Sequence, residues 1–323
     1  MKRTASVCVL ALGVAACGDG NPFSSTTTDG GTTTGGTGTG SGIPTTLTSD
    51  LGSFTFNPSN QTLTVEGVFL DADNQDGVFV RKPSLDVPGY LAFTVQDDPL
   101  DQHVTAYVQE ISGARAGVVV TGGQFSTFNG GTAYSSDDDF NPPVVNGDTG
   151  LVTYAGNYVG ITNLDNDGGD LLPVPAGTPT EIIPGQAAVV TGDIFINVDF
   201  NDNSLKGSIF NRVLDANDNQ LAGGATTLAV PSVDLLPTTI AEDGTFDGNV
   251  ALTLDPNQTD TGDYGGIFGG SDAEVVAGSI FIEDHLIEGT NAEQEFGIFV
   301  LGQCGSAVET GGTLCTDVEG PTQ

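Results

Sequence analysis

The chain has 323 residues and carries 42 Asp and Glu against 7 Lys and Arg, a formal charge of −35 at neutral pH. That balance excludes a nucleic-acid partner, because neutralising phosphates takes clustered basic side chains, and it disfavours an anionic lipid surface. The 47 glycines and 16 prolines suit turn-dense β structure in a chain long enough for more than one domain.

Met1-Lys2-Arg3 is a cationic start, and Ala5 to Ala16 is an apolar run too short to span a bilayer. The run ends in Val14-Ala15-Ala16-Cys17, which resembles the lipobox of bacterial lipoproteins. The resemblance implies a signal peptide over 1–16, cleavage before Cys17, a thioether-linked diacylglycerol on its sulfur and an acylated new N-terminus. The other reading is an ordinary secretory peptide with a stray cysteine. Residues 17–47 are almost wholly Gly, Ser and Thr after Cys17, a composition that cannot offset its ordering entropy. A coil of that length reaches about 30 Å, so the segment reads as a disordered stalk. Gly18, rather than an aspartate, after the cysteine points to the outer membrane. Loss of Lys2 and Arg3 with the leader takes the charge from −35 to −37. Such a charge steers a basic partner, or serves solubility, or belongs to loops that hold divalent cations.

From residue 48 the signal is β throughout. Ser53–Phe56 and Leu63–Val68 alternate on either side of Asn57-Pro58-Ser59-Asn60, a hairpin pattern. Further alternating runs lie at 77–80, 90–95, 104–110 and 116–121. The run Ser135 to Asp139 and Pro142-Pro143 mark a seam, which sets a strand-rich domain over 48–148. In the second half, Ile194, Ile196, Val198 and Phe200 share one face, Asn201 to Ser204 turn the chain, and Leu205 to Phe210 return it. Similar runs predict strands near 151–161, 187–200, 205–213, 225–232, 245–254, 263–269, 274–283 and 295–302. Eight meandering strands with one dry face suit an up-and-down antiparallel β-barrel, which removes its own edges. The fold class is therefore all-β: stalk, strand-rich domain, then an eight-stranded barrel over 149–303 and a tail over 304–323.

Thr191 to Phe200 with Leu205 to Ile209 look like the early barrel hairpin of transferrin-binding-protein-B-like surface lipoproteins. Phe268 to Gly278 is similar to a Gly-, Ala- and Glu-bearing segment of that family, matched at Gly270, Ala273, Glu274 and Gly278 with Ile280-Phe281 beyond; Ser271 stands where the family has proline and Ala277 where it has glycine. Tyr154-Ala155-Gly156-Asn157-Tyr158-Val159-Gly160 resembles its first barrel strand. The resemblance implies one handle-plus-barrel lobe, with 48–148 as the handle. These are packing positions, so they speak for the fold and carry no ligand residues across.

Cys8 leaves with the leader and Cys17 takes the lipid, so Cys304 and Cys315 remain in an exported domain. They bracket a Gly/Ser/Thr-rich stretch and predict a disulfide that ties the tail back on itself; a metal or redox pair is the alternative. His103 and His285 lie in different domains with no nucleophile at a recognised spacing, and no hydrolase, metalloprotease or P-loop motif occurs. The protein reads as no enzyme. Haem ligation by either histidine is a candidate role, set against solvated loop histidines. Asn163, Asp165 and Asp167 with Gly168 and Asp170 match the first half of a calcium loop, though Val174 stands where the bidentate glutamate belongs. Asx-rich turns between strands are the other reading. The function expected is capture or presentation of an extracellular protein or haem ligand, such as an iron or haem carrier, by a lipid-anchored surface protein. The alternative is a calcium-stabilised envelope protein.

Overall fold

The structure is a computed structural model, and it describes residues 23–25, 42–68, 76–125, 127–145, 150–216, 226–285 and 292–317. Cys17 lies outside the described residues.

The first sheet has eight strands in chain order: β1 (Phe23–Ser25), β2 (Ser53–Asn57), β3 (Thr62–Glu66), β4 (Asp76–Arg81), β5 (Leu91–Val95), β6 (Val104–Ile111), β7 (Ala114–Thr121) and β8 (Gly130–Ser136). β1 runs parallel to β2, and the rest form an antiparallel meander. The first hairpin pairs Phe54 with Val65 and Phe56 with Leu63, all four buried, as their alternation dictates. Two features depart from the sequence reading. Residues 43–47, assigned to the stalk, place Ile43 and Leu47 in the core, with a short helix α1 (Thr45–Thr48) laid on β8. Of the seam read at Ser135 to Asp139 and Pro142-Pro143, Ser135 and Ser136 close β8, and 137–145 lie between β8 and the next strand.

The second sheet closes on itself. Its wall is β9 (Leu151–Asp165), β10 (Ala187–Asp199), β11 (Ser204–Asp215), β13 (Val233–Thr239), β14 (Thr245–Leu252), β15 (Asp260–Gly269), β16 (Val275–Glu283) and β17 (Gln294–Gly302), each paired with the next and β17 returning to β9. This is an eight-stranded up-and-down antiparallel barrel. The fourth wall strand is corrected from 225–232 to 233–239. Within the earlier range only β12 (Thr227–Ala229) pairs, as a short addition beside the second half of β11. β13 was missed because Pro237 breaks its pattern. The register slips there, from Leu205 opposite Thr238 to Gly207 opposite Leu235, and a slip tolerates a residue that lacks an N–H.

The barrel interior is filled by Tyr154, Ile194, Ile196, Phe268, Ile280 and Phe299 with their neighbours. Its outer wall is also buried on one side. Val159, Ile161, Phe296, Ile298 and Val300 point away from the barrel and share one core with Val118, Val119 and Val120 of β7. Two-sided burial explains why β7 and β17 read as near-continuous apolar runs. The tail is pinned by a Cys304–Cys315 disulfide, Cα atoms 5.4 Å apart. Beside it the Thr310 hydroxyl donates to the Ala155 carbonyl at 2.7 Å, and the Cys304 N–H donates to the Thr153 carbonyl at 2.8 Å.

Candidate functional site

Three polar or apolar constellations stand out from the packing. The first is sealed inside the barrel. On β11, Leu205, Gly207 and Ile209 face inward, and strict alternation would turn Val213 inward and Arg212 out. Asn211 instead takes a left-handed φ of 50° at a bulge where β10 slips register between Thr191 and Asp193. The phase flips, leaving Arg212 1% exposed and Val213 39% exposed. Gly192 leaves room for the Arg212 stem, since a Cβ there would lie 3.1 Å from Arg212 Cγ. Arg212 Nη2 donates to Glu295 Oε2 at 2.6 Å, and Nη1 donates to the Pro231 carbonyl at 2.6 Å. The Tyr158 hydroxyl donates to Glu295 Oε1 at 2.6 Å. His285 Nε2 stands 3.0 Å from both Arg212 Nη2 and Glu295 Oε2.

Burial alone would raise the Glu295 pKa, but the Arg212 guanidinium and the bonds from His285 and Tyr158 outweigh it and hold it at about 2. Glycines clear the space: a Cβ at Gly160 would strike Glu295, and one at Gly297 would strike the Tyr158 hydroxyl. The group is a buried ion-pair network in which the Arg212 guanidinium faces the Glu295 carboxylate, with Arg212 Nε and His285 Nδ1 left without a hydrogen-bond partner among the described residues.

The second constellation joins the two sheets. Asp170 receives Lys82 Nζ at 2.7 Å, the Thr94 hydroxyl at 2.7 Å and His103 Nε2 at 3.1 Å. Burial would raise the Asp170 pKa, yet these three donors lower it. Burial lowers the His103 pKa against the pull of Asp170, so its neutral ring donates through Nε2.

These contacts place the residues considered for calcium. Asn163 bonds the Ala292 carbonyl and the Gln294 N–H, Asp165 accepts from the Gly123 backbone, Asp167 is exposed, and Asp170 serves the joint. The structure does not bring the four together, and among the described residues no group of three or more His, Cys, Asp or Glu is placed to hold a metal ion. The Asx reading is visible directly, with the Gly168 N–H donating to Asn166 Oδ1 at 2.7 Å. Both histidines, weighed against solvated loop positions, are instead buried at 1% and 4% exposure. Each is engaged with a carboxylate.

The third constellation is a cluster of loops at one end of the molecule. Gln124, itself buried, donates through Nε2 to the Leu100 carbonyl at 2.8 Å and to the Ile182 carbonyl at 2.9 Å. The Leu172 N–H donates to Gln96 Oε1 at 2.8 Å. These bonds tie together loops from both sheets, and each loop exposes an apolar side chain: Leu100, Phe125 and Leu172. Phe125 is 62% exposed and sits at the first central position of the Gln124–Thr127 turn with φ 54°. A bulky side chain there costs about 1–2 kcal/mol against an ordinary φ, a strain sustained by the bonds that Gln124 makes beside it.

Sequence reasoning missed Arg212, Glu295 and Phe125. The one Arg of the acid-rich 149–303 segment and a Glu opening the apolar run Phe296 to Leu301 were the signals for the first two. An aromatic inside Gly122-Gly123-Gln124-Phe125-Ser126 was the signal for the third.

No protein-family model and no curated protein matches the chain. Among solved structures, intact Ap-TbpB is 13% identical with a TM-score of 0.37, over 76% of this chain and 44% of that one. Transferrin binding protein B of serogroup B Neisseria meningitidis is 14% identical with a TM-score of 0.33, over 75% and 41%. The N-lobe domain of lactoferrin binding protein B of Moraxella bovis is 15% identical with a TM-score of 0.30, over 77% and 95%. The chain is similar to lobes of these proteins. It spans less than half the length of the intact transferrin binding proteins and nearly the whole of the isolated lobe. Among the described residues, no helix is long and apolar enough to cross a membrane.

Proposed function

We propose that the protein is a lipid-anchored surface protein that captures an extracellular protein through the loop cluster around Phe125 and catalyses no reaction. The observation that carries this reading is the exposed, strained Phe125 on loops locked together by Gln124. A rigid aromatic anchor among apolar neighbours is what a protein interface concentrates its binding energy on. The surrounding loops carry Asp97, Asp98 and Glu181, all exposed. Of the five Lys and Arg in the folded chain, Arg81, Lys82, Arg115 and Arg212 are paired to Asp86, Asp170, Glu110 with Asp137, and Glu295. The field outside the molecule is therefore almost wholly negative and favours a partner with a basic surface, at a rate that falls with salt. Iron and haem carriers are the first ligands to test.

The test combines protease shaving of intact cells with immobilised protein challenged by transferrin, lactoferrin and haemoglobin. Shaving should remove the barrel from intact cells. A bound carrier should be released by salt and lost in Phe125→Ala. Protection until lysis, or capture indifferent to Phe125→Ala, refutes the proposal.

A further inference from the structure

A cleft of about 210 Å³ lies on the outside of the barrel beside the first sheet, and none of its lining residues belongs to the proposed capture surface. It is lined by Pro88, Asn157, Tyr158, Thr191, Gly192, Asp193 and Asn211. The bulge that turns Arg212 inward also makes this cleft. It sets Asn211 and Arg212 of β11 against the single Gly192 of β10, which stays paired to Tyr158 of β9, and throws Asn211 outward with its left-handed φ, so the outer wall is dented where β9, β10 and β11 lie side by side. The first sheet supplies the opposite lip. The turn closed by Val87 and Tyr90 overhangs the barrel, fixed by the Tyr90 hydroxyl donating to the Asn157 carbonyl at 2.7 Å.

The polar groups in the cleft are under-used. Asn211 Nδ2 donates to Asp193 Oδ2 at 2.8 Å, which orients the carboxylate. Among the described residues, the Asn157 amide and the Thr191 hydroxyl bond no other side chain, and Asp193 has only Asn211. Half-buried amide, hydroxyl and carboxylate groups thus converge with both donors and acceptors to offer. Next to them, Asp193 lies opposite Phe210, whose ring centroid is 6.0 Å from that of Phe195 on the same outer face.

This combination selects a ligand class. An anion is opposed by Asp193 and by the charge of the whole chain. A hard cation asks for several oxygen ligands of high charge, and only one carboxylate is present. A ligand of alternating hydroxyls with an apolar face uses every group: the carboxylate accepts from two hydroxyls, the amide and the threonine exchange bonds with others, and the Pro88 ring meets the C–H face. The volume lies below that of drug-sized sites of about 300–1,000 Å³, which suits one ring. We infer that the cleft between the Val87–Tyr90 turn and the β10–β11 bulge is a binding subsite for a single neutral hexopyranose, such as the terminal residue of a glycan.

The test is saturation-transfer NMR on the full chain with methyl glycosides of glucose, galactose, mannose and N-acetylglucosamine, and with n-butylammonium as a cationic probe. Transfer from at least one glycoside, with affinity falling at least tenfold in both Asp193→Ala and Asn157→Ala, is the expected result. Thr191→Val, a near-isosteric change outside the Arg212 network, should weaken binding severalfold while leaving the melting temperature unchanged. No transfer from any glycoside overturns the inference, as does transfer that survives Asp193→Ala. Saturation of n-butylammonium alone also overturns it and makes the cleft a site for a cationic side chain.

Discussion

Replacing Arg212 with Met keeps the length of the side chain and removes its charge, leaving Glu295 buried without its counter-ion. In the native fold Glu295 is shifted from 4.5 to about 2, equivalent to roughly 3 kcal/mol of stability at neutral pH. Because the folded pKa lies below the unfolded one, that stability is complete above about pH 4.5 and drains away as the pH falls toward 2. In Arg212→Met the largest influence opposing burial is gone and only the bonds from His285 and Tyr158 remain, so the Glu295 pKa rises from its native value. The expected loss at pH 7 is about 3–5 kcal/mol, the cost of stranding one member of a buried pair. The loss should shrink toward pH 5, where the stranded carboxyl takes up a proton. Urea unfolding of both proteins from pH 5 to 8, with the disulfide intact, measures the difference and cancels the titration common to both. Arg212→Met/Glu295→Gln should recover most of the loss. A cost under about 1 kcal/mol, flat across that range, would refute the reading of the cluster as a mutually dependent ion network.

Three other outcomes follow from the packing. Gly297→Ala should destabilise the barrel by about 1–3 kcal/mol through overpacking against the Tyr158 hydroxyl, and Tyr158→Phe in the same background should relieve part of it in thermal unfolding. Cys304→Ser/Cys315→Ser frees a loop of sequence separation 11 and should cost about 2–3 kcal/mol in the chain-entropy account, read from the urea midpoint. Phe125→Gly should stabilise the protein by about 1 kcal/mol through release of the left-handed strain while abolishing carrier capture, and loss of both stability and capture would show the ring to be a packing residue.

The barrel hairpin of Ile194 to Ile209 was legible because one of its faces is dry and the other wet, so period-two alternation survives in the sequence. The eight-stranded closure followed from counting such runs. β8 was not legible. Its Gly130-Gly131-Thr132-Ala133 start carries no bulky β-former, because the residues must be small: a Cβ at Gly131 would strike the Thr48 carbonyl of α1. Arg212 was illegible for a different reason. Alternation is a one-dimensional rule, and a single left-handed Asn211 reverses it, so counting from Leu205 puts the wrong residue indoors. The calcium reading failed to assemble because its spacing is shared by Asx turns, and only the third dimension shows Asp170 turned toward Lys82 and His103. Phe125 needed the backbone angle as well as the residue.

The outward side of β17 has a consequence for the order of events during folding. Phe296, Ile298 and Val300 complete the core of the first sheet, and the backbone of the same strand closes the barrel against β9. Neither half can therefore finish before residues 294–302 are present, although most of the chain precedes them. A chain synthesised from its N-terminus completes neither the shared core nor the barrel seam until that last strand arrives. Truncation before Gln294 therefore removes core from one half and closure from the other.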